Sequence, residues 1–176
     1  PFAFSDHVAL PFKVGFSRVY RVFAERGVQN DVVWIGSGKL GFPETGLLSF
    51  CLGADMIAVG REAMMAIGCI QAQRCHTGHC PTGVATQNKW LVRGLDPTHK
   101  AARLANYVVT LRKEFVRLTH ACGCEHPGLL TADHMEILDG NFGSRPLREV
   151  FKYEPGWGVP SAQQQAEALA AMGFKA

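Results

Sequence analysis

The sequence predicts an α/β fold with parallel strands, and three features carry that prediction. Two short apolar runs, Val32-Val33-Trp34-Ile35 and Met56-Ile57-Ala58-Val59, lack the polar alternation of a half-solvated strand. Each therefore reads as a strand buried on both faces. Helical spacing of apolar residues precedes the first run and separates it from the second, which is the repeat of a parallel barrel or a doubly wound sheet. Both runs end in glycine, at Gly36-Ser37-Gly38 and at Gly60-Arg61.

The elements follow in order. Residues 1–10 show no period and read as a loop, with Asp6 and His7 as a surface pair. From Pro11, Phe12, Phe16, Val19, Tyr20 and Phe23 share one helical face, and Gly27 is the stop. Pro43 opens a second helix through Leu47, Leu48, Cys51 and Leu52, closed by Gly53. After the second strand, Ala63 to Ile67 predicts a short buried helix with Met64 and Met65 as core filler. Asp96 caps and Pro97 starts a long helix with a stripe from Ala101 and Leu104 through Val108, Leu111 and Phe115 to Leu118. It ends near Cys122-Gly123-Cys124, two cysteines read as structural. The Gly- and Pro-rich stretch 125–160 is expected to hold short helices at 131–138 and 147–151. Ser161-x-x-Gln164 is a capping box before a last, alanine-rich helix.

Composition narrows the function. A chain of 176 residues with 47% hydrophobic and 19% charged residues folds around a real core. A dispersed net charge of +3 argues against nucleic acid. No apolar run nears the ~20 residues of a membrane helix, so no membrane segment is expected. No secretory signal is legible either, and the clustered cysteines suit a reducing, cytoplasmic location. A start at Pro1 reads as a piece of a longer gene product.

The chemistry concentrates in two places. Gly36, Ser37 and Gly38 offer backbone N–H groups that an anion can approach closely, and Gly60-Arg61 repeats the device with a guanidinium. In barrels, the loops after the last two strands frequently hold phosphate. Shortly after the second loop come Cys69, Cys75 and Cys80, spaced C-x5-C-x4-C and followed by Pro81. That spacing is neither a C-x2-C zinc knuckle nor a ferredoxin run. Three thiolates, each holding one iron, fit a three-iron cluster better than a four-iron one. Two other readings stand beside it: buried small hydrophobes, and zinc held with His76 or His79.

The string from Cys69 to Gln87, CIQAQRCHTGHCPTGVATQ, resembles the cluster segment of the FMN-binding domain of glutamate synthase large subunits, in particular their short relatives. Ile35-Gly-Ser-Gly38 and the run from Val59 to Gly68 resemble that domain's last two barrel strands. The resemblance implies the C-terminal part of a (β/α)8 TIM barrel over residues 1–87, with the iron–sulfur loop included, and a mostly helical extension over 88–176. It implies FMN phosphate at Gly36, Ser37, Gly38, Gly60 and Arg61, and a [3Fe-4S] cluster on Cys69, Cys75 and Cys80. The implied reaction is reductive formation of L-glutamate from 2-oxoglutarate and an ammonia source, through 2-iminoglutarate. Electrons would come from ferredoxin or a reductase subunit, through the cluster to FMN. A catalytic acid or base is not legible, and this piece alone is not expected to turn over. Two alternatives are a synthase of related glutamate derivatives, of the methylamine or N-methylglutamate type, and a zinc-stabilised module without redox chemistry.

Overall fold

The computed structural model describes residues 9–173; the Asp6–His7 pair lies outside them. Helix α1 spans Phe12–Ala24 and ends at Gly27, whose φ of +69° suits a residue without Cβ. Strand β1 is Ile35–Ser37 and strand β2 is Met56–Ala58, joined by helix α2, Pro43–Cys51. The two strands pair in parallel, Ile35 with Met56, Gly36 with Ile57 and Ser37 with Ala58. The α/β class and the parallel strand–helix–strand unit are therefore present. A closed barrel is not seen among the described residues, where the parallel sheet has two strands.

Two expectations about the strands change. β1 starts three residues later than the apolar run, so Val32 and Val33 precede it while Gly36 and Ser37 belong to it. Nor is the sheet covered on both faces. Gly36 is buried, and Trp34, Ile57 and Val59 pack on the helix layer. On the other face Val33, Ile35 and Met56 are 67%, 57% and 49% exposed. Side chains alternate along a strand, and nothing among the described residues lies over that second face.

Helix α3, Arg61–Ala66, follows β2 directly. It is short as expected but not buried: Met64 is 36% exposed, and its one buried residue is Glu62. A cysteine-containing loop with short 3-10 turns then leads to helix α4, Pro97–Ala121. Asp96 caps α4 by accepting hydrogen bonds from Thr98 N and His99 N, at 3.0 and 3.3 Å. The buried stripe holds only in the second half, at Leu111, Phe115 and Thr119, while Ala101, Ala105 and Val108 are exposed.

The segment 131–138 is not a helix. It is a 3-10 turn, Ala132–His134, and a strand β3, Glu136–Leu138, which pairs antiparallel with β4, Ser144–Pro146. Helix α5, Leu147–Phe151, follows, and α6, Ala162–Ala171, starts at the expected Ser161–Gln164 capping box. One core joins these pieces: Leu52 of the α2 end, Tyr20 of α1, Phe115 of α4, Leu147 of α5 and Tyr153 belong to a single buried cluster.

Candidate cofactor site

The parallel register decides where the two glycine turns sit. With Ser37 beside Ala58, the chains leaving β1 and β2 emerge as neighbours about 5 Å apart at the same sheet edge. Gly36, Ser37, Gly38, Gly60 and Arg61 are thus brought to one end of the fold, in different settings. Gly36 is packed inside the strand: a Cβ there would meet Ser49 Oγ at 2.5 Å and Leu40 and Phe12 at 3.1 Å. Close helix–sheet packing is what demands glycine at that position. Ser37 and Gly38 are exposed, and Gly38, at φ +138°, turns the chain where no side chain is comfortable. Gly60 is exposed with open space where a Cβ would be, and it precedes the first residue of α3, Arg61. Ser37, Gly38 and Gly60 are exposed, and Arg61 is half-buried.

Helix α3 delivers the first cysteine. Its end is closed by Gly68 at φ +107°, with Gly68 N donating to Met65 O and Cys69 N to Met64 O, which hands the chain over sharply at Cys69. The loop beyond is wound through left-handed residues, Gln71 at φ +55°, Gln73 at +57° and Gly78 at +72°. Two of these are not glycine, a conformation that costs about 1 kcal/mol or more each and tends to mark functional loops. The winding places Cys69, Cys75 and Cys80 around one small depression, shared with Arg74 and Thr82. Among the described residues, no three Cys, His, Asp or Glu side chains converge tightly enough to hold a single metal ion.

The thiols differ in setting. Cys75 is exposed and Cys80 is 7% exposed. The Cys69 sulfur accepts a hydrogen bond from Gln71 N at 3.4 Å. The Cys80 thiol is lowered to about 7, first by its contact with the Thr82 hydroxyl and then by backbone groups of Ala85, Thr82 and Val84, against the effect of burial. The thiolate is the metal-binding form, so this environment favours the ligand over the thiol. His76 and His79 are exposed, and His79 Nδ1 donates to Thr77 O at 2.8 Å.

Three residues at the site were not singled out from sequence. Glu62 is 6% exposed, and both its Cβ and the Tyr107 hydroxyl lie 2.6 Å from where a Gly41 Cβ would stand. Tyr107 O–H donates to Gly41 O at 2.7 Å, so α4 is pinned to the turn after β1. Lys100, at the start of α4, places Nζ 2.9 Å from the Cβ position of Gly68, beside Cys69. The signal for Glu62 was its place in the first turn of α3; for Tyr107 and Lys100 none existed, because a helix pattern does not say which neighbour it meets.

Residues 1–125 match the conserved region in glutamate synthase. The chain belongs to the glutamate synthase family. It is 34% identical over 131 residues to the glutamate synthase large subunit-like protein YerD of Bacillus subtilis, covering 74% of this chain and 25% of that protein. It is 37% identical over 123 residues to the archaeal glutamate synthase [NADPH] of Methanocaldococcus jannaschii, covering 70% of this chain and 24% of that one. With the ferredoxin-dependent glutamate synthase of Cyanidium caldarium it shares 35% over 145 residues, 82% of this chain and 9% of that protein. The chain thus spans about a quarter of the first two relatives' length. In this glutamate synthase family chain, no helix of the described residues is long and apolar enough to cross a membrane.

Proposed function

We propose that this chain is the closing part of the FMN barrel of a glutamate synthase-type oxidoreductase, with residues 1–87 ending the barrel and 88–176 forming an extension packed on it. The observation that carries the reading is the meeting of three cysteines at one depression, one short helix away from two neighbouring glycine turns. The residues present fit both cofactors. Ser37, Gly38 and Gly60 would present backbone N–H groups to the FMN phosphate, and Arg61 a planar fork suited to its oxygens. Gly36 serves that turn by letting helix and strand approach closely.

Cys69, Cys75 and Cys80 would hold a [3Fe-4S] cluster. Thiolates on one tetrahedral ion lie roughly 4 Å apart, whereas thiolates on separate irons stand wider, in keeping with three cysteines that share a depression without closing on one ion. Bound there, FMN and the cluster supply the electrons and hydride that turn 2-iminoglutarate, formed from 2-oxoglutarate and ammonia, into L-glutamate. The chain's own part is positional and electrostatic: N–H donation from Gln71 to the Cys69 sulfur bears on the potential of a group bound there. Between Cys69 and Lys100 the chain carries Arg74, Lys89, Arg93 and Lys100 against Asp96 alone. That basic stretch of chain suits an acidic electron donor such as ferredoxin. All six cysteines are unpaired, in keeping with a reducing cytoplasm.

Cys75→Ser in the full-length protein tests the reading. Loss of the paramagnetic signal of the oxidised three-iron cluster, with FMN retained, is the expected result. An unchanged signal removes Cys75 from the ligands, and a protein that carries zinc and no iron overturns the redox assignment.

A further inference from the structure

Along the covered side of α4, one position breaks the pattern. Lys100, Leu104, Tyr107, Leu111 and Phe115 recur at three- and four-residue steps, which puts them on one helical face. All five are buried or half-buried, while positions 101–103, 105, 106 and 108–110 are exposed. Four of the five are apolar or aromatic; the first is a lysine.

A cation at that place is unfavourable on two counts. It is the fourth residue of a 25-residue helix, near the end that already carries partial positive charge. It is also half-buried, and its ammonium makes no hydrogen bond or ion pair among the described residues. Asp96, four residues before it, is engaged instead by Thr98 N and His99 N. Taking a charge out of water without a partner costs free energy, so the position is suited to a bound anion.

What the ammonium faces is the turn that delivers the first cysteine. Nζ stands 2.9 Å, and Cε 3.6 Å, from where a Cβ on Gly68 would be, so the charge lies against the residue preceding Cys69. Tyr107, about two turns further along the same face, holds α4 there by donating to Gly41 O. Three thiolates around an iron–sulfur core carry net negative charge, and reduction adds to it.

We propose that Lys100 is the counter-charge of the cluster on Cys69, Cys75 and Cys80 and sets its reduction potential, an inference that rests on the cofactor reading above. A fixed cation favours the more negative, reduced state, so its presence raises the potential. Arg74 lines the same depression but is exposed, where salt and solvent screen it more. The competing account is structural: the lysine stem covers Gly68, and the ammonium complements the C-terminal end of α3.

Lys100→Met in the full-length protein separates the two, because it keeps an unbranched stem and removes the charge. Potentiometric titration, followed by the paramagnetic signal of the oxidised three-iron cluster, is expected to give a lower midpoint. At a fixed ambient potential the reduced-to-oxidised ratio should fall about tenfold, ~59 mV for a one-electron couple. Lys100→Arg, which keeps the charge, should stay within about twofold of wild type. If Lys100→Met loses the cluster, iron content decides: loss in Lys100→Met and retention in Lys100→Arg, at equal thermal midpoints, supports the counter-charge. A ratio in Lys100→Met within about twofold of wild type, or the same shift or iron loss in both variants, overturns it. Wild-type protein with zinc and no iron overturns the cofactor reading and this inference together. A wild-type three-iron signal with an unmoved Lys100→Met midpoint overturns this inference alone.

Discussion

Tyr153 shows how much a single side chain carries in this fold. It is 4% exposed, stacks on Tyr20 at 5.5 Å and donates its hydroxyl to Leu52 O at 2.8 Å, across 101 residues of chain. Burial raises its phenol well above the ordinary range, with Tyr20 adding to the effect, so it remains a donor at any working pH. Tyr20 in turn accepts from Gly158 N at 3.1 Å. Tyr153→Phe keeps the ring and leaves the Leu52 carbonyl without this donor; it is expected to lower stability by about 1–3 kcal/mol, read as a shift of the denaturant midpoint at constant slope. At the same scale Gly36 illustrates a residue whose type was legible and whose reason was not. A Gly-x-Gly after an apolar run points to an anion turn, but the buried glycine is set by the Ser49 hydroxyl and the Phe12 ring that crowd it, neither of which is near in sequence.

Among the elements, α4 was the most legible at its ends and the least along its length. Asp96 and Pro97 fix its start because first-turn N–H groups need an acceptor and Pro has no N–H to lose. Asp96→Ala is expected to cost about 1 kcal/mol, visible in thermal unfolding, with Asp96→Ser restoring most of it. The apolar stripe of α4 continues through Ala101, Ala105 and Val108, yet only Leu111, Phe115 and Thr119 are buried. A stripe tells which face seeks cover, not how far the cover extends. The β3–β4 hairpin was missed because Glu136-Ile137-Leu138 is too short for a period. Its neighbour is instead held by side chains: Asp133 pairs with Arg148, and this partner keeps the carboxyl below its usual range.

For the whole molecule, the asymmetry of the parallel sheet is the main organising fact. The helix side is dry, with Leu52, Leu130 and Leu147 at or below 2% exposure, while Ile35 and Met56 face away from it. Leu52→Ala is expected to cost about 2–5 kcal/mol, whereas Ile35→Ser in the same chain should stay within about 0.5 kcal/mol, as for surface changes generally; comparable losses in chemical denaturation would show that the bare face is covered. The sequence alone determined the class, the helices outside 131–138, and the caps at Asp96 and Ser161, because these depend on short-range pattern. Tertiary structure decided that the turns at Gly38 and Gly60 leave the same end of the sheet, and that Cys69, Cys75 and Cys80 line one depression. Each of those depends on strand register and helix placement, which long-range packing sets and local sequence does not encode.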